Sequence, residues 1–278
     1  MESLRWSNRP QLQRPVLIAA FEGWNDAGDA ATTAVRFLAE RWRARPFATI
    51  EAEEFFDFTT HRPLVQLDDD GRRSITWPRN RFLSASVPEL GDVILLDGTE
   101  PALMWRTFCR QIAHVMETYD VSMAFTLGAL ISDVAHSRPV DVFGSSADPT
   151  LSERFHFEPS IYEGPTGIVG VLQTVLHEAG VPSGSLWASV PSYVHGSPSP
   201  KAALALVDKL ANLLDVGLPT TDLQIATAAY ERQVNKLVSD DEETTELVRK
   251  LEQRYDEMSD PAGLVEEVEQ FLRERLDE

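Results

Sequence analysis

Six consecutive apolar residues, Val16-Leu17-Ile18-Ala19-Ala20-Phe21, constrain the fold of this chain more than any other feature. A strand with one wet face alternates apolar and polar side chains. An unbroken run behind Pro15 reads instead as a strand buried on both faces, as in a parallel sheet covered by helices. The loop Glu22 to Gly28 follows, and then Ala30, Ala34, Phe37, Leu38 and Trp42 recur at spacings of three and four, the stripe of an amphipathic helix. Strand, tight loop and helix together open a βαβ unit.

The pattern recurs along the chain. Asp92 to Asp97 reads as a second buried strand, followed by a helix from about Pro101 to Tyr119, with Pro101 suited to the first helical turn. Strands are expected at Ser122 to Leu127, ending at Gly128, at Val140 to Phe143, ending at Gly144, and at Ser185 to Val190. Helices are expected at Gly167 to Ala179, closed by Gly180, and at Lys201 to Leu214, stopped by Gly217 and Pro219. Between about residues 49 and 86 the texture turns extended, with a hairpin turn at Asp70-Gly71, which reads as a β insertion or edge extension. The fold class expected is α/β with a mostly parallel sheet. Residues 1–220 form its core domain and residues 221–278 a helical extension.

That extension is acidic. Residues 239–278 hold 15 acidic and five basic side chains, -10 of a formal net charge of -19. Leu247, Leu251 and Tyr255 make one apolar stripe and Leu264, Val268, Phe271 and Leu272 another, separated by the stop-and-restart signal Ser259-Asp260-Pro261. Stripes this narrow need a surface to pack on, because short helices are not stable alone.

Charge and composition exclude several functions. A strongly acidic chain repels phosphate backbones and anionic lipid, so neither nucleic acid nor membrane is expected as a partner. No apolar run approaches the roughly 20 residues that span a bilayer. Cys109 is the only cysteine, which rules out an internal disulfide and any multi-cysteine zinc site. No signal peptide is visible at Met1 to Trp6, and a cytoplasmic protein is expected.

Several motifs suggest ligands, and each also has a structural explanation. Gly23 to Gly28 has P-loop glycine spacing, but Asp29-Ala30 stand where Lys and Ser or Thr are needed, so nucleotide hydrolysis is not expected. A tight turn with Asn25 or Asp26 capping the helix accounts for the same residues. Glu163-Gly164-Pro165-Thr166-Gly167 precedes a helix whose free amides could receive an anion, or which Thr166 could cap. His136-Ser137-Arg138 pairs a histidine with an arginine after a strand, a setting that can hold a small anion. No metal-binding spacing of histidines and no nucleophile elbow occurs, and Cys109 lies in an apolar-spaced helix typical of an inert thiol.

Four loops follow expected strands: Glu22 to Asp29, Asp97 to Glu100, Gly128 to Arg138 and Gly144 to Asp148. In a parallel sheet they would gather at one edge, where α/β folds hold ligands. The candidate ligand-binding residues are therefore Glu22, Asn25, Asp26, Glu100, His136, Arg138, Glu163 and Thr166. No catalytic residue, metal or cofactor is assigned.

The same segments carry a family resemblance. Phe21 to Gly28, Leu96-Asp97-Gly98-Thr99-Glu100-Pro101, Thr126 to Leu130, His136-Ser137-Arg138-Pro139, Tyr162 to Gly167 and Trp187 to Pro191 resemble, in order, the motifs of PAC2 (proteasome assembly chaperone 2-like) proteins, with an ending similar to the actinobacterial branch. The resemblance implies a three-layer α/β/α sandwich of phosphorylase/hydrolase-like type and a homo-oligomer, such as a trimer. It also implies a non-catalytic assembly or scaffolding role with proteasome subunits or another protein complex as partner. The alternative is a small-molecule enzyme or ligand-binding protein using the strand-end loops. Relatives that dock on proteasome rings carry a carboxy-terminal hydrophobic-Tyr-any residue tail; Arg275-Leu276-Asp277-Glu278 lacks the tyrosine, which disfavours docking by tail insertion.

Overall fold

The structure is a computed structural model that describes residues 3–194 and 196–259. The chain runs β1 (Leu4–Trp6), β2 (Val16–Glu22), α1 (Ala30–Arg41), β3 (Arg45–Ile50), β4 (Leu64–Leu67), β5 (Arg73–Thr76), β6 (Asn80–Val87) and β7 (Gly91–Thr99). It continues through α2 (Trp105–Thr118), β8 (Met123–Ser132), β9 (Val142–Ser146), α3 (Pro149–Phe155), α4 (Ile168–Glu178) and β10 (Ser183–Pro191). Three helices follow: α5 (Pro200–Leu214), α6 (Thr221–Ser239) and α7 (Glu242–Ser259).

Eight strands form one sheet in the order β1-β3-β6-β7-β2-β8-β10-β9. The central strands β7, β2, β8 and β10 are parallel to one another. Antiparallel partners complete the two flanks. Strand β2 shows why its apolar run is unbroken. Val16, Ile18 and Ala20 pack with α1 and α5 on one face, while Leu17, Ala19 and Phe21 pack with α2 and α4 on the other. Helices thus cover both faces of the sheet, as a doubly apolar strand requires.

Only part of the stretch read as a β insertion stands off the sheet. β3 and β6 belong to the main sheet, because Phe82, Leu83, Ala85 and Val87 of β6 are buried between β3 and β7. The separate piece is the β4–β5 hairpin alone. Beyond α5, α6 runs back along the core with Leu223 in the main cluster, and its Tyr230, Val234 and Val238 pack with Val248 of α7. The packed residues of α7 are Val248 and Leu251; Leu247, placed in the stripe by spacing, is exposed because α6 sets which side of α7 is covered. The stripe from Leu264 to Leu272 lies outside the described residues.

Other boundaries differ for local reasons. Helix α2 starts at Trp105, not Pro101, because the amides of Ala102 and Leu103 are held by the Phe55 carbonyl (2.8 and 3.0 Å) and Met104 is left-handed. Gly128 and Gly144 do not end their strands. Each lies inside a strand beneath an aromatic ring: a Cβ on Gly128 would sit 2.5 Å from the Trp187 ring, and one on Gly144 would sit 2.2 Å from Phe157. Strand-interior glycine here marks a close approach.

The expected consequence of Gly128→Ala is overpacking against Trp187, costing about 1–3 kcal/mol of stability. Urea unfolding monitored by tryptophan fluorescence checks this, and a variant as stable as wild type would show that the Trp187 ring can yield.

Candidate functional site

Three of the four loops do meet at one sheet edge. The segments after β2, β7 and β8 leave parallel strands at their carboxyl ends. The fourth, after β9, leaves at the opposite edge, because β9 runs antiparallel to β10. Sequence patterning could not reveal that reversal, since an edge strand looks alike in either direction.

Glu100 ties the first of these loops to α4. Its Oε1 accepts from the Asn25 side-chain amide (2.9 Å) and from the backbone N–H of Ile168 (2.8 Å), and its Oε2 accepts from the Trp24 N–H (3.3 Å). The amino terminus of α4 therefore already holds an anion, and that anion is the chain's own carboxylate. Thr166 does not cap this helix; Gly167 occupies the cap position, and a Cβ there would sit 2.1 Å from Asn25. Asn25 in turn is buried and its carbonyl accepts from the Ala129 N–H (2.8 Å), joining the loop to β8.

Asp26 caps α1 from inside the turn. Its carboxylate accepts from the N–H of Ala31 (2.6 Å), the N–H of Thr32 and the Thr32 hydroxyl. Burial pushes its pKa up to about 6, against the lowering effect of those bonds. Beside it, Glu22 belongs to an ionic network. Arg36 bridges Glu22 (2.5 Å) and Asp97 (3.0 Å), Arg81 holds the other Asp97 oxygen (2.5 Å), and the Thr99 hydroxyl donates to Glu22 (3.2 Å).

His136 and Arg138 form a second group, under α6 and α7. The His136 amide donates to the Tyr193 hydroxyl oxygen (2.7 Å), and the same hydroxyl lies 2.8 Å from Nδ1. Nε2 lies 3.1 Å from Asn235 Oδ1, an acceptor that suits a ring proton on Nε2. Burial lowers the pKa of His136, which favours the neutral imidazole. Arg138 makes a two-pronged pair with Asp256 (2.7 and 2.6 Å) and lies 3.6 Å from Glu252 of the same helix. Lys201 donates to the His136 carbonyl (2.6 Å) and pairs with Glu231 (2.5 Å). The anions beside His136 and Arg138 come from α6 and α7.

Of the eight candidate residues, Glu22, Asn25, Asp26 and Glu100 lie on the adjoining β2 and β7 loops, with Gly167 and Ile168 completing the Glu100 cluster. His136 and Arg138 are held apart from them on the β8 loop, and Glu163 and Thr166 are exposed on the segment leading into α4. Sequence reasoning missed Asp97, Arg36, Arg81, Tyr193 and Asn235. Asp97 had left a signal, a carboxylate closing an apolar strand; the others join only through tertiary contact. On the segments that carry the Glu100 cluster or lead into it, Trp24, Leu103, Met104, Ile161 and Tyr162 are exposed. Burial pushes the Cys109 thiol up to about 12, consistent with an inert packing role. Among the described residues no group of His, Cys, Asp and Glu side chains could hold a metal ion, and no helix is long and apolar enough to cross a membrane.

Two outcomes follow from these bonds. Glu100→Ala leaves buried donors on Asn25 and Ile168 without an acceptor and should cost about 2–3 kcal/mol in urea unfolding, with Glu100→Gln costing less; equal, negligible losses would show that water replaces the carboxylate. For Asp26 the raised pKa means that the folded state holds the proton more tightly, so its favourable contribution is complete below about pH 4 and lost as pH rises through about 6. The stability gap between wild type and Asp26→Asn should therefore move in favour of Asn by about 1 kcal/mol from pH 5 to pH 7.5. A gap that is constant or moves the other way contradicts this.

The matching family model is that of the PAC2 family, over residues 20–238. A PAC2 family protein from Streptomyces avermitilis is similar at 45% identity and TM-score 0.78, over 84% of this chain and 99% of that one. A Mycobacterium tuberculosis proteasome-assembly chaperone homologue is similar at 40% identity and TM-score 0.76, over 84% of this chain and 99% of its own. At the level of fold alone, an archaeal proteasome activator from Pyrococcus furiosus matches with TM-score 0.69 at 17% identity, over 84% of this chain and 97% of that one. The comparison with curated proteins returns no match. With a family model spanning most of its length and these two relatives covered almost completely, the chain belongs to the PAC2 family.

Proposed function

We propose that this chain is a non-catalytic, homo-oligomeric scaffold that assists assembly of a proteasome-type complex in the cytoplasm. One observation carries the reading. Four of the candidate groups are bonded within the chain: Glu100 and Asp26 to backbone amides, Glu22 to Arg36, Arg138 to Asp256. The apolar side chains around the Glu100 cluster face solvent instead. A site that spends its charges internally and exposes Trp24, Leu103, Met104, Ile161 and Tyr162 is suited to contact protein. A small-molecule enzyme would instead need a free base or nucleophile within reach of a substrate. The similarity to a mycobacterial proteasome-assembly chaperone homologue supports a proteasome-related partner. In this reading residues 1–220 are the core, and the acidic extension 221–278 offers a further contact surface.

The test is co-expression of the full chain with proteasome α and β subunits from the same organism, followed on native gels. The expected result is co-migration with an assembly intermediate, weakened about tenfold or more by the double variant Trp24→Ser/Leu103→Ser. Failure to co-migrate with any intermediate, together with an unchanged assembly rate, would sink the proposal.

A further inference from the structure

The β4–β5 hairpin is out of keeping with the rest of the fold. Its two strands pair only with each other, in the register Leu64↔Thr76, Val65↔Ile75, Gln66↔Ser74 and Leu67↔Arg73. Alternation along a strand then sorts the side chains. Leu64, Gln66, Ser74 and Thr76 share one face, which is mostly polar. Val65, Leu67, Arg73, Ile75 and Trp77 share the other, which is apolar but for one arginine. The four apolar members of that face are between 45% and 69% exposed. Trp77 meets Phe58 at the root of the hairpin, with ring centroids 4.8 Å apart. An isolated two-stranded ribbon is marginal in water at best, and one that also shows its apolar face to solvent is incomplete as it stands.

Charge points to what completes it. Three arginines on or beside the hairpin, Arg62, Arg73 and Arg79, make no ion pair among the described residues. Residues 62–79 hold four arginines and three aspartates, a net +1, so the remainder of this -19 chain carries -20. The three aspartates, Asp68 to Asp70, sit at the turn, where Asp68 accepts from the Asp70 and Arg72 amides, and none lies on the apolar face. The complement of an apolar face fringed by unpaired arginines is an acidic surface, and a second copy of this chain supplies one.

The geometry points to the β4–β5 hairpin as an arm that packs its Val65, Leu67, Ile75 and Trp77 face on the acidic surface of a second copy. The inference rests on the homo-oligomeric reading above and adds the contact and its sense. If two arms met each other across a two-fold axis, Arg62, Arg73 and Arg79 would face their like. Arm on acidic body is a head-to-tail contact, which closes into a ring when the rotation permits. Because the contact joins arginines to carboxylates, salt weakens it, whereas a purely apolar contact would not weaken.

The test uses the full chain in sedimentation velocity, in about 0.15 M and about 0.5 M salt, with two variants. Val65→Ser/Leu67→Ser/Ile75→Ser removes the apolar face. Arg62→Glu/Arg73→Glu/Arg79→Glu leaves that face and the strand pairing in place, which keeps the test valid if the serine variant loses its hairpin; circular dichroism checks that both stay folded. Wild type should be oligomeric and dissociate with salt, and each variant should weaken association about tenfold or more. Hydrogen exchange should show protection of residues 64–77 that rises with protein concentration. Variants that associate like wild type would overturn the arm while leaving the homo-oligomer standing. A monomeric wild type would overturn both. Protection of 64–77 that is independent of concentration would mean that the chain's own residues 260–278 or some other internal segment covers the arm, and would also overturn it.

Discussion

Strand β2 has no polar face, and the architecture follows from that. Its two sets of side chains must both be kept from water, so helices have to lie on both sides of the sheet: α1 and α5 on one, α2 and α4 on the other. Each fully buried Leu, Ile or Phe contributes about 1.5–3 kcal/mol by its removal from water, so a charge placed mid-strand would be costly. Charged groups are consequently pushed to the strand ends, and Asp97, near the end of β7, is tolerated only because Arg36 and Arg81 both hold it.

Concentrated at that edge, the charged groups act on the chain itself. Glu100 joins two loops to the start of α4, Asp26 closes the first turn of α1, and Arg138 fastens α7 to the loop after β8. These bonds hold the loops in one conformation. They also occupy the Ile168 amide at the start of α4, the Glu100 carboxylate and both ring nitrogens of His136. Exposed apolar side chains include those on the segments of the Glu100 cluster and those on the β4–β5 arm.

Much of this was legible in residue patterns. The doubly apolar runs announced the central strands, the spacing of three and four announced α1, and Asp70-Gly71 announced the hairpin turn. Residue patterns place Glu22, Asn25, Asp26 and Glu100 in one strand-end group with His136 and Arg138; the loops of the first four adjoin, while His136 and Arg138 are held apart under α6 and α7. The failures have a common cause. Gly128 and Gly144 were read as stops, although they make room for Trp187 and Phe157, residues 59 and 13 positions away. Residue patterns put the loop after β9 at the wrong edge because strand direction leaves no mark on composition. Leu247 was placed in the stripe because spacing defines a stripe but not which flank of it a neighbouring helix covers.

The amino-acid sequence by itself determined the layered α/β class, the membership of PAC2-like motifs in order, and the identity of the residues that crowd the sheet edge. These depend on local periodicity and on burial, which the order of side chains encodes directly. Only the tertiary structure decided what those residues do. Whether Glu100 is a free carboxylate or the cap of a helix that starts 68 residues later depends on where α4 arrives. Whether Arg138 awaits an anion or already has one depends on where α7 lies, 118 residues along the chain. A charged group is defined by its partner, and partners distant in sequence meet only once the chain has folded.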